Sequence, residues 1–138
     1  MHSAGFLANF MARKFAAALQ HEMHDLGLAP AQFMVLAEML DGDGLTQREL
    51  MERLEVEQAT MANTLARMER DGLVTRVASK EDRRARQVFV TEKGRDVREA
   101  AMEMAMKVNA KATSGLSEEE TKMFLDLMKR VIEALKRR

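Results

Sequence analysis

Cysteine is absent from the 138 residues. That excludes disulfides, thiolate metal sites and thiol redox switches. Tryptophan and tyrosine are absent as well; six phenylalanines are the only aromatics, and thirteen methionines supply much of the apolar bulk. Methionine fills irregular gaps, so this bias reads as the packing of a helical core. There is one proline, Pro30, and seven glycines, so the chain has few obligatory breaks. No apolar run approaches the roughly 18 residues that a membrane span needs. The N-terminal "MHSAGFLANFMARKF" carries its bases after its apolar residues, the reverse of a secretory signal. A cytoplasmic location with no membrane partner is therefore expected. A glycine-rich phosphate loop is missing too. The histidines, His2, His21 and His24, all fall within the first 24 residues, so no nucleophile–base arrangement emerges. No catalytic residue and no enzymatic activity are expected. His21, Glu22, His24 and Asp25 have helical i, i+3 and i, i+4 spacings without a third strong ligand. They read as surface residues near a helix end, and neither a metal site nor a cofactor is expected.

Net charge is also absent, since 22 basic side chains balance 22 acidic ones. The balance is not local. Residues 1–45 carry two bases and five acids, while residues 67–95 carry nine bases against five acids. The positive excess centres on "SKEDRRARQVFVTEKG", residues 79–94.

Hydrophobic residues make up 46% of the chain, enough for a core. In residues 6–26, Leu7, Met11, Phe15, Ala18, Leu19 and Leu26 follow a helical spacing. "GLAP" at 27–30 ends that helix and starts another, with Pro30 in the first turn. Phe33, Leu36, Ala37 and Leu40 continue it, and "DGDG" at 41–44 turns the chain. In "LTQRELMERL", Thr46 and Glu49 form a capping box. A further helix runs through "QATMANTLARMERDG" and stops at Gly72. The period then shortens to two: residues 73–77 and 86–91 predict a β-hairpin around a polar loop at 78–85. Thr91 caps a long helix whose inner face takes Val97, Ala101, Met104 and Val108. "SGLSEEE" breaks it, and Ser117 with Glu120 caps a final helix.

Helix-turn-helix followed at once by a hairpin is the layout of a winged helix. Placed at 100° steps, Met61, Leu65 and Met68 fall within about 60° of one another and form a buried stripe. Ala59, Thr60, Asn63, Arg67 and Arg70 lie opposite, on a face without acids. A helix fits the major groove of duplex DNA. Asn63 suits an adenine edge, Arg67 a guanine or phosphate, and Ala59 a thymine methyl. Gln58, at the helix start, reaches a base or phosphate, and Thr64 belongs to the same candidate set.

The span from "LTQRELMERLEVEQATMANTLARMERDGLV" through "TEKG", with "GLAPAQFMVLAEML" before it, resembles the MarR family of bacterial transcription regulators. The most specific part is Asp82-Arg83-Arg84, then Val88-Phe89-Val90-Thr91 and Gly94. The resemblance implies a mainly α fold with a small β-hairpin wing, a winged helix-turn-helix core flanked by N- and C-terminal dimerisation helices. One domain over 1–138 is expected, with residues 28–95 as the DNA-binding lobe and 1–27 and 96–138 as dimer helices. Arg84 is implied to reach the minor groove or its phosphates alongside Arg83, with Asp82 bracing the wing arginines by ion pairing. Arg86-Gln87 stands where the family often has an apolar residue followed by a base, which leaves open which of the two faces DNA.

The terminal helices carry more apolar surface, including Phe6, Phe10, Phe124, Leu127, Val131 and Leu135, than one small chain covers. A two-fold dimer would bury it and set two recognition helices about 34 Å apart. The expected function is a homodimeric repressor on a pseudo-palindromic operator, released by a small aromatic or lipophilic effector. Arg13 and Arg86 are the candidate anion contacts for that effector. The competing reading is a winged-helix module whose basic hairpin binds an acidic protein.

Overall fold

A computed structural model describes residues 2–82 and 84–136. Among these residues six α-helices and three short strands follow in the order α1 (Ala4–Met23), α2 (Pro30–Glu38), β1 (Leu45–Thr46), α3 (Gln47–Leu54), α4 (Gln58–Arg70), β2 (Val74–Ala78), β3 (Arg86–Val90), α5 (Glu92–Ala112) and α6 (Glu118–Lys136). The helix expected over 6–26 starts earlier and ends at Met23, and its last residues, His24–Leu26, form a single 3₁₀ turn. Gly27, in the left-handed region at φ 65°, closes that turn.

Side chains cap the starts of α1, α3, α5 and α6. The Ser3 hydroxyl accepts from Phe6 N at 3.1 Å. Thr46 and Glu49 make the expected reciprocal box on α3, at 3.1 Å each way. That box, led by the backbone hydrogen bond from Thr46, holds the Glu49 carboxyl below the ordinary carboxylate range. Ser117 and Glu120 do the same on α6, at 2.9 and 3.1 Å. The Thr91 hydroxyl accepts from Gly94 N at 3.0 Å and caps α5.

The chain divides into two compact units, Met1–Ala105 and Met106–Arg138. The first has one core. Leu36, Leu50, Leu65, Met68, Val88 and Ala101 are completely buried, and Met61, Val35 and Val74 nearly so. The stripe of Met61, Leu65 and Met68 faces inward as its spacing predicts. Val97 and Met104 on α5 pack partly buried against that core. The second unit holds the end of α5, where Val108 is buried, and α6, which buries no residue.

The sheet differs from the two-stranded expectation. β1 adds an antiparallel edge, giving the order β1-β3-β2. Leu45 pairs with Val88, and Val74 with Val90. The hairpin's first strand is also shifted by one residue, to Val74–Ala78. Two further bonds hold the edge. Gly44 N donates to Val88 O at 2.9 Å, and Val90 N donates to the Asp43 carboxylate at 3.1 Å.

Candidate nucleic-acid interface

α4 presents its outer face cleanly because its inner face is wholly buried. Gln58, Ala59, Thr60, Asn63 and Arg67 are all exposed. The first turn of α4 holds no acid, so its free amides keep their partial positive charge. Thr64 is only half-exposed, and its hydroxyl donates to Thr60 O at 2.9 Å, which commits its proton to its own helix. Arg70 bonds the neighbouring Asp71 at 3.1 Å and so points to the end of the helix. That bond, with a contribution from Gln32 and the charges of Arg70 and Lys93, holds the Asp71 carboxyl below the ordinary range.

The wing turn is built from its own polar residues. Ser79 N donates to Ala85 O at 2.8 Å, and Ala85 N to Asp82 O at 3.0 Å. The Asp82 carboxylate accepts the backbone N–H of Arg84 at 3.0 Å. The bracing contact seen here is thus to the turn's backbone, and among the described residues no ion pair joins Asp82 to an arginine. Arg83 lies outside the described residues. Arg84 is exposed.

Alternation along the hairpin sets Arg86 and Gln87 on opposite sides of β3. Val88 and Val90 face the core, so Arg86 shares their side of β3 beyond the core's edge. Gln87 lies on the opposite side and donates to Gly44 O at 3.1 Å. Arg76, paired with Val88 across the sheet, joins Arg86 on the inner side. An open cleft of about 670 Å³ results between the starts of α3 and α4 and the wing. Gln47, Arg48, Gln58, Arg76, Arg84 and Arg86 line it, and Asp82 is the one acid among its described lining residues.

Arg76 was not among the residues expected from the sequence. Its Nη2 bonds Glu69 on α4 at 3.1 Å, tying the wing to that helix. This hydrogen bond, reinforced by the charges of Arg76 and Arg86, holds the Glu69 carboxyl below the ordinary range. A base at the inward register position of "VTRVA" was the available signal. Arg13 is not among the residues lining the cleft. It lies on α1 with its guanidinium 5.5 Å from the centre of the Phe10 ring, a cation–π contact. His21, His24 and Asp25 line a separate surface hollow. Among the described residues, no group of three His, Asp or Glu side chains could hold a metal ion, and no helix is long and apolar enough to cross a membrane.

A sequence model of the MarR family matches residues 26–85. The transcriptional regulator HosA of Escherichia coli O111:H- is 34% identical over 122 residues, spanning 88% of this chain and 89% of HosA. The chain belongs to the MarR family of transcriptional regulators. Another relative, the uncharacterised HTH-type transcriptional regulator YybA of Bacillus subtilis strain 168, is 26% identical over 116 residues, 84% of this chain and 77% of YybA. Among solved structures, the fold is similar to a crystal structure of MarR, with a TM-score of 0.88 and 25% identity over 99% of this chain and 92% of that one. It is equally similar to a putative MarR family regulator from Listeria monocytogenes complexed with 26mer DNA, with a TM-score of 0.89 and 26% identity over 98% and 90%. The winged helix-turn-helix fold read from the sequence is therefore that of the MarR family.

Proposed function

We propose that this MarR-family chain works as a homodimeric repressor on a pseudo-palindromic operator. In this reading α4 enters the major groove through Gln58, Ala59, Thr60, Asn63 and Arg67. The wing sets Arg84, with Arg83, at the flanking minor groove or its phosphates. The observation that carries it is the acid-free outer face of α4 beside an arginine-lined cleft. Thr64 serves the helix more than the interface, and Asp82 acts by shaping the turn that presents Arg84. The exposed apolar side chains of α6 and the Phe6–Phe10 stack on α1 support self-association. One domain over 1–138, with the lobe at 28–95, and a cytoplasmic location without catalysis go with this reading. Release by a small aromatic or lipophilic effector completes it, with Arg86 in the cleft the better placed of the two candidate anion contacts and Arg13 the more remote.

The test begins with selection of bound sites from random duplex DNA. Binding to the selected site should weaken steeply with salt, with a slope of about −0.9 per phosphate neutralised. Arg84→Ala should weaken binding to all duplexes and flatten that slope by about one contact. Asn63→Ala should instead cost roughly 1–3 kcal/mol of discrimination at one base pair. No duplex binding at low salt would favour the protein-binding module instead.

A further inference from the structure

The first turns of α5 are fastened to the ends of other helices through backbone atoms. Lys93 Nζ donates to Asp71 O at 2.8 Å, at the C-terminal end of α4. Arg98 Nη1 donates to Leu36 O at 3.2 Å, in the last turn of α2. The Thr91 hydroxyl donates to Gly72 O at 2.6 Å. At Gly94, a Cβ would overlap the Leu73 carbonyl, so the two backbones are in direct contact there. Asp71 also receives Nε2 of the buried Gln32 at 3.4 Å, while Gln32 Oε1 accepts from Ala29 N at 3.1 Å.

Helix C-termini leave carbonyls unsatisfied and carry partial negative charge, so a cation there is favourable. The choice of partner matters more than that gain. A bond to a backbone carbonyl registers the position of the whole helix, because the carbonyl cannot rotate away as a side chain does. Apolar packing of Met61, Leu65 and Met68 presses α4 inward but resists small axial slides less well, since dispersion contacts are not directional. Lys93 is exposed, so water could satisfy Asp71 O without it.

We propose that Lys93 and Arg98 are positioning residues for DNA binding: they fix α4 and α2 to α5, and so set where each recognition helix is presented. The inference rests on the homodimeric DNA-binding reading above. In such a dimer the lock appears as a preference for one distance between half-sites. Each base pair of spacer moves a half-site by about 3.4 Å along the duplex.

The probes are labelled duplexes carrying the half-sites selected by the wild-type protein, at the selected spacing and with one base pair added or removed, plus a duplex with a single half-site. Wild type should prefer the selected spacing by about tenfold. Lys93→Gln and Arg98→Met together should reduce that preference to about threefold or less while leaving single half-site affinity within about twofold. Lys93→Arg should keep the wild-type profile. Lys93→Gln alone, an exposed change that spares the core, should show a smaller loss of the same kind and carries the test if the double variant does not fold. If Lys93→Gln is folded and retains the full spacing preference, the lock is only structural and the proposal falls. Failure of the wild type to bind any duplex would instead remove the reading beneath it.

Discussion

α4 and α6 are both amphipathic helices, and they spend their apolar faces differently. On α4, Met61 is 1% exposed and Leu65 and Met68 are 0% exposed. On α6, Leu127 is 45%, Val131 55%, Ile132 54% and Leu135 80% exposed, and no residue is buried. The first helix uses its apolar stripe inside the chain and so leaves its polar face for an outside surface. The second keeps its polar face in water and leaves the apolar stripe to be covered. In the proposed function the same pattern of residues serves recognition in one case and assembly in the other. What differs is whether the stripe is buried within its own unit.

The comparison breaks most visibly at Leu65. Replacing it with alanine empties a fully buried site and should cost about 2–5 kcal/mol of stability. Urea denaturation measures the loss, which should be the same whatever the protein concentration. A small or concentration-dependent loss would mean that the stripe on α4 is covered by a second chain, erasing the contrast with α6.

Ile132 tests the other side. Ile132→Asp should leave the folding of the lobe unchanged and weaken self-association. In a two-fold dimer the side chain is lost from both copies, about 1.5–3 kcal/mol each, which shifts the dimer constant by roughly 100-fold or more. Sedimentation at falling concentration reads that shift. A wild-type chain that stays monomeric throughout would show that the α6 stripe has no second copy to meet.

The contrast also explains what could be read from the sequence. The stripe on α4, the two capping boxes and the stop at Gly72 depend on residues three or four apart, so local spacing revealed them. β1 was not legible, because Leu45–Thr46 is too short for alternation to register. It exists through contacts some forty residues distant, from Asp43 and Gly44 to β3. Asp82 was expected to hold a guanidinium; among the described residues its carboxylate accepts the Arg84 N–H, and Arg83 lies outside them. That bond depends on the closed turn, in which a short carboxylate reaches the amide two residues on. Arg76 and Glu69 escaped notice for a related reason, since one lies on a strand and the other on a helix, and only the folded register brings them together.

That pair supplies the smallest effect and bears on the flank of α4, between its buried and outer faces. The Arg76 and Glu69 side chains are 20% and 43% exposed, so solvent screens the bridge and its worth is at most about 1 kcal/mol. Glu69→Gln keeps the shape and one acceptor oxygen but removes the charge. Because the folded state holds the Glu69 carboxyl below its ordinary range, the bridge contributes fully above that range and is lost as pH falls through the lowered value. The variant should therefore lose slightly less stability than wild type on acidification below about pH 4. Its behaviour on DNA separates two roles. If the acid merely neutralises Arg76, the variant frees a positive charge in the cleft, and duplex affinity should rise with a slightly steeper salt slope. A fall in affinity at unchanged stability would mean that the bridge aims the wing, making the flank of α4 a third functional face beside its buried stripe and its outer surface.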